Sequence, residues 1–162
     1  MKQFFIRYLL FLAFLFLAFY APTSVVSDTL NSLQTQLTLF LLDPLLEPNQ
    51  LQGADIWVHE NYKIVISKAC NGMIPILYLI GSVMAYPSTW RHKISWILMG
   101  YVVFNVVNVV RILFVVYITG VGDGHEEFYW SHDIVGNVMI MVAGLFMFVS
   151  FIKTSSKTVK NL

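Results

Sequence analysis

The sequence predicts an all-α integral membrane protein: a bundle of about four transmembrane helices, with an outward interfacial helix and a short β-hairpin before the second span. Three observations predict it. Hydrophobic residues make up 57% of the 162-residue chain and charged residues only 12%, against about 25% charged in a soluble domain. Four apolar stretches, residues 4–21, 72–87, 94–120 and 133–152, approach the roughly 20 residues that cross a hydrocarbon core of about 30 Å. None of them alternates with the period of a barrel strand, so helices, which satisfy their own backbone groups in lipid, are the expected spans.

The first stretch opens with Lys2 and Arg7 and ends in Ala18-Phe-Tyr-Ala21, which also has the form of a cleaved signal peptide. Pro22 disfavours cleavage and the apolar run exceeds a usual signal core, so an uncleaved span is expected. Residues 22–70 then form an outward segment. In it Leu30, Leu33, Leu37, Phe40 and Leu41 recur at helical spacing opposite Asn, Ser, Gln and Thr, which suits a helix lying in the interface and ended by Pro44 and Pro48. ADIWV-HEN-YKIVIS reads as two strands around a turn that lead straight to Cys70. No repeat or linker divides the chain, so residues 1–162 are expected to form a single membrane domain, with a disordered tail from residue 153.

Basic residues set the orientation. Lys2 and Arg7, Arg91 to Lys93 between the second and third spans, and Lys153, Lys157 and Lys160 after the fourth mark the cytoplasmic side. The loop 121–131 carries Asp123, Glu126 and Glu127 and no Lys or Arg. Both termini are therefore expected in the cytoplasm, with residues 22–70 and 121–131 outside.

Three unusual residues then fall at one depth. Cys70, the chain's single cysteine, precedes the second span at its outer end. Arg111 lies about 26 Å along the third span at 1.5 Å per residue, near the outer boundary. His132 opens the fourth span from the outside. Taken singly, each has an ordinary explanation: a small buried hydrophobe, an arginine snorkelling to headgroups, part of a helix cap. Together they suit thiol chemistry. A helix N-terminus and nearby cations, Lys68 and Arg111, favour a reactive thiolate. His132 can act as acid and base, and Arg111 can donate to an oxyanion together with backbone N–H groups near Asn71 and Gly72. An arginine inside VVFNVVNVVRILFVV is a functional residue by default, and Asn108 stands three residues before it on the same face.

Ala69-Cys70-Asn71-Gly72-Met73, Asn108-Val-Val-Arg111-Ile112 and His132-Asp133-Ile-Val-Gly136 resemble, in order and spacing, the exosortase/archaeosortase family of membrane-embedded cysteine transpeptidases. The resemblance is read over roughly residues 67–150. It implies Cys70 as nucleophile, with Arg111 and His132 as the other catalytic residues. It also implies a substrate: the C-terminal sorting signal of an exported protein, made of a short motif, a transmembrane helix and a basic end. Transfer to an acceptor follows, at the outer face of a cytoplasmic (inner) membrane. Two features depart from the family pattern: Asn71 stands where many relatives have Ser, and the chain has fewer spans than the larger members.

Other patterns carry less. The net charge of +1, without a basic run interleaved with aromatics, gives no nucleic-acid partner; membrane lipids are the expected surroundings. Asp123-Gly-His125-Glu126-Glu127 lacks the second histidine of the zinc-protease pattern, since position 129 is Tyr, so no metal or cofactor is expected. Asp133 is expected to point about 100° from His132 on a helix, hence to favour the helix N-terminus rather than bond the ring. His59 and His92 are expected to be solvated, and Trp57, Trp90, Trp96 and Trp130 to anchor at interfaces. Gly136, Ala143 and Gly144 suit helix packing. The alternative from another class is a non-catalytic assembly factor or small carrier that binds a lipid or other anionic headgroup at Arg111 and Asn108.

Overall fold

The computed structural model describes residues 2–21, 24–121 and 125–160. In chain order it comprises α1 (Lys2–Phe19), α2 (Val25–Leu42), a 3-10 turn (Asp43–Leu45), β1 (Leu51–Gln52), β2 (Asp55–His59), β3 (Tyr62–Val65), α3 (Met73–Ala85) and α4 (Trp90–Val121). The chain ends with α5 (His125–Phe128), a π-helical stretch (Tyr129–Val135) and α6 (Gly136–Lys160). Pro22, which bears on cleavage of the first span, and Asp123 of the acidic loop lie outside the described residues.

Among the described residues three helical runs are long and apolar enough to cross a membrane: α1, α4 and the continuous run Glu126–Ser155. The expected second span is shorter. α3 has 13 residues, about 20 Å, because Gly72 starts it in the left-handed region (φ 79°) and Tyr86, preceding Pro87, leaves it extended (φ −78°, ψ 137°). α1 and α3 run antiparallel, with the Phe4 ring near Tyr86 (6.3 Å) and Phe16 near Tyr78 (5.4 Å). α4 and α6 are likewise antiparallel. Gly100 admits Leu79 and the tip of Met147, and Gly144 meets the edge of Phe104. Ile76, Leu79, Val83, Phe104, Met147 and Phe151 are buried together where α3, α4 and α6 meet. Between helices surrounded by lipid such burial stabilises through close packing rather than release from water. The helices leave large apolar side chains such as Leu10, Leu17, Val102, Met141 and Phe146 pointing outward, as lipid-facing surfaces do.

α2 forms where the periodicity puts it, but it buries its polar face. Ser27, Asn31, Gln34 and Thr38 are inside, while Leu33 and Phe40 point out. The hairpin gains a third strand, giving an antiparallel sheet in the order β1-β2-β3 with Leu51 opposite Ile56 and Ile56 opposite Ile64. Its inner face, Ile56 and Ile64, packs on Leu42 and on Ile112, Val115 and Val116 of α4. α4 has 32 residues, about 48 Å, longer than a core of about 30 Å; the sheet packs on its C-terminal third. The tail departs from expectation: residues 153–160 continue α6 because they contain no Gly or Pro to break it. His92 also departs, being half-buried against Phe151 (5.2 Å). His59 is exposed, as are Trp90 and Trp130, while Trp96 packs on Phe151 (6.0 Å).

Candidate active site

Cys70 ends a tight turn in which its N–H donates to the Ser67 carbonyl (2.9 Å). Asn108 Nδ2, from α4, donates to the Cys70 carbonyl (2.9 Å). Gly72 follows with positive φ, and a Cβ there would sit 3.1 Å from Asn108 Cγ, so both conformation and space call for glycine. Asn71, expected to support the site, turns the other way. It is wholly buried, and its Nδ2 donates to the Asn31 carbonyl (3.2 Å) and Thr35 Oγ1 (3.2 Å). Its Oδ1 accepts the Met73 N–H (3.0 Å), and its carbonyl accepts from Gln34 Nε2 (3.0 Å) and Thr38 Oγ1 (3.3 Å). Gln34 in turn donates to Asn105 Oδ1 (2.8 Å) and accepts from the Tyr101 hydroxyl (2.9 Å). The inward polar face of α2 thus moors the turn that carries the thiol.

Arg111 lies about 31 Å along α4 from Trp90 and is buried, so its head does not snorkel. Its Nη2 lies 3.0 Å from His132 Nε2 and donates to the His132 carbonyl (3.4 Å) and Asn137 Oδ1 (3.5 Å). Gly136 makes room for it: a Cβ there would be 2.6 Å from Arg111 Nε. Arg111 Nε and Asn108 Oδ1 are buried without a hydrogen-bond partner among the described residues. His132 Nε2 is 3.5 Å from Cys70 Sγ, and the Phe128 ring stacks on the imidazole (4.8 Å). Cys70, Arg111 and His132 therefore meet in one place, although they come from a loop, from α4 and from the π-helical stretch.

Asp133 corrects an expectation. Its Oδ1 lies 2.7 Å from His132 Nδ1, and the two form a pair. The 100° separation holds for an α-helix, whereas here the chain winds as a π-helix, with the Gly136 N–H bonding back to the Ser131 carbonyl. Nor does Asp133 sit at a helix N-terminus, since helix begins at His125. Asn137 and the α2 residues Asn31, Gln34 and Thr38 were likewise not legible as parts of the site. The signal was their polarity at helical spacing beside apolar neighbours.

Burial pushes the Cys70 thiol up, but the hydrogen bond and charge of His132, with both Ser67 contacts, outweigh it and leave the thiol below its ordinary range. On the sheet side, Ile64, Ile66 and Val115 wall off the trio around a void of about 10 Å³, at the lower limit for one water. Cys70 itself is half-buried. Among the described residues no cluster of three His, Cys, Asp or Glu could hold a metal ion.

The family model described as transmembrane exosortase matches residues 2–149, so the match extends through α1, α2 and the sheet, beyond the motif region. No curated protein and no solved structure matches the chain.

Proposed function

The chain belongs to the transmembrane exosortase family, whose members are transpeptidases that process sorting signals, and from that premise we propose its reaction. It is a membrane-embedded cysteine transpeptidase that cleaves C-terminal sorting signals of exported proteins and transfers them to an acceptor. The observation that carries the reading is the convergence of the Cys70 sulfur (3.5 Å) and the Arg111 guanidinium (3.0 Å) on one nitrogen of His132.

As the substrate carbonyl enters, Arg111 leaves Nε2 to donate to its oxygen, joined by N–H groups at the start of α3 near Asn71 and Gly72. The freed Nε2 lone pair takes the Cys70 thiol proton, and the sulfur attacks the scissile carbonyl carbon. The tetrahedral intermediate collapses, the C–N bond breaks, and His132 returns its proton to the departing amine, which stays on the substrate's membrane helix. The acceptor, whether water, an amine or a hydroxyl, then loses a proton to His132 and attacks the thioester, and the thiolate leaves and is reprotonated. Exosortase membership and several membrane-length helices support a multi-pass protein of the cytoplasmic membrane, with both termini inside and Cys70 at the outer face. The alternative, an anionic headgroup held at Arg111 and Asn108, fits less well because the Arg111 head is buried and turned onto His132.

The test is a reporter protein ending in a sorting signal, co-expressed with the chain or with Cys70→Ser. Loss of processing at normal abundance of the variant is the expected result, with a thioester on Cys70 trapped in the wild type. Processing retained by Cys70→Ser removes the reading.

A further inference from the structure

We infer that Asp133 is a positioning residue, which holds His132 as the Nδ1–H tautomer and so turns Nε2 towards the Cys70 sulfur. Arg111 has donors only, so its Nη2 at 3.0 Å requires a lone pair on Nε2, and the single proton of a neutral ring then sits on Nδ1. That proton points at Asp133 Oδ1, 2.7 Å away. The carboxylate satisfies it, and Asn137 Nδ2 ties the Asp133 backbone by donating to its carbonyl (2.8 Å). Among the described residues, Arg111 from α4, Cys70 from the turn before α3 and Asp133 from the same stretch are charged or titratable groups bonded to the ring, while Phe128 covers one face.

The consequence is chemical. With Nδ1 occupied, Nε2 is the nitrogen that can take the thiol proton. Once it has done so both ring nitrogens are protonated, and the carboxylate stabilises the imidazolium against nearby Arg111. Asp133 thereby favours thiolate formation without touching the substrate. A base oriented by a third group is a general requirement of activated nucleophiles.

The proposal rests on the transpeptidase reading, but its test needs no sorting-signal substrate, so the two can fail separately. The full chain is purified in detergent with 15N-labelled histidine, and the His132 signals are assigned by their loss in His132→Gln. At a pH where the ring is neutral, the Nδ1–H tautomer is expected in the wild type, and in Asp133→Asn, where Arg111 still favours it but the carboxylate does not, a mixture with the Nε2–H form. Alkylation by iodoacetamide, which reports Cys70 alone in a single-cysteine chain, is expected to slow several-fold at neutral pH in Asp133→Asn and to recover in Asp133→Glu. An Nε2–H tautomer in the wild type overturns the proposal whatever the variants do. So does an Asp133→Asn protein with unchanged tautomer and unchanged alkylation.

Discussion

Cys70 Sγ lies 3.5 Å from His132 Nε2 although 62 residues separate them in the chain. Two mooring systems hold that distance. Asn108 and the polar face of α2 fix the Cys70 turn from below, and Arg111 and the π-helical stretch fix the ring. The thiol is thus presented by the helix bundle, while the sheet closes one side.

Burial alone raises the Cys70 thiol, and contact with His132 brings it below its ordinary range. A lowered thiol keeps its thiolate to lower pH, so the alkylation profile of Cys70 is expected to have a midpoint on the acid side of a free cysteine's. In His132→Ala only the Ser67 contacts oppose burial, and the midpoint moves towards higher pH. Rates of iodoacetamide labelling across pH, read by intact mass, check both directions. A His132→Ala profile that overlays the wild type contradicts the coupling.

Arg111→Lys keeps a charge but cannot present the same planar set of donors to His132, Asn137 and an oxyanion. Loss of one oxyanion donor costs about 10²–10³ in turnover. Processing of a sorting-signal reporter is expected to fall by about that factor, with protein abundance unchanged. Processing within about twofold of wild type would leave Arg111 without an oxyanion role.

Gly136 provides a steric test of the same residue. A Cβ at 136 meets Arg111 Nε at 2.6 Å, whereas one at Gly144 meets Phe104 Cζ at an ordinary 3.5 Å. Gly136→Ala is therefore expected to displace Arg111 and lower reporter processing at least about tenfold, the scale of a misplaced catalytic group. Gly144→Ala is expected to be neutral. Equal effects from both would mean that glycine here serves helix packing alone.

Much of this fold is written in patterns that single residues reveal, and some is not. Long apolar runs mark α1, α4 and α6 because lipid tolerates little else, and costly polar residues within or beside them mark Cys70, Arg111 and His132 as residues to relate by depth. The Asp133 contact escapes because a 100° step assumes an α-helix, and nothing in YWSHDIV announces the wider winding. α2 misleads for a different reason. A polar stripe reads as water-facing until its partners are known, and those partners, Asn71 and Asn105, lie 37 and 71 residues away from Gln34.

That stripe makes a stability prediction. Gln34→Leu removes the amide that joins Asn71, Asn105 and the Tyr101 hydroxyl, and each buried polar group left unpaired costs about 1–3 kcal/mol. Thermal unfolding in detergent is expected to shift clearly downwards, because Thr38 can compensate only at the Asn71 carbonyl. Leu33→Ala, on the outward face, is expected to have little effect. If the two variants unfold alike, the inward orientation of the polar face is wrong.

Orientation across the membrane gives the last prediction. The sheet packs on the C-terminal third of α4, and Trp90 begins that helix at the opposite end, about 39 Å from Val116 at 1.5 Å per residue. Val65 on β3 and Trp90 both have exposed side chains, at 51% and 64%. In a Cys70→Ala background, Val65→Cys and Trp90→Cys each supply one thiol. A membrane-impermeant maleimide added to intact cells or spheroplasts is expected to label position 65 and to reach position 90 only after lysis, in agreement with the basic Arg91 to Lys93 facing the cytoplasm. The opposite pattern would put Cys70 on the cytoplasmic side, where an exported substrate does not present its sorting motif. Labelling of both positions in intact cells would mean that α4 does not cross the bilayer.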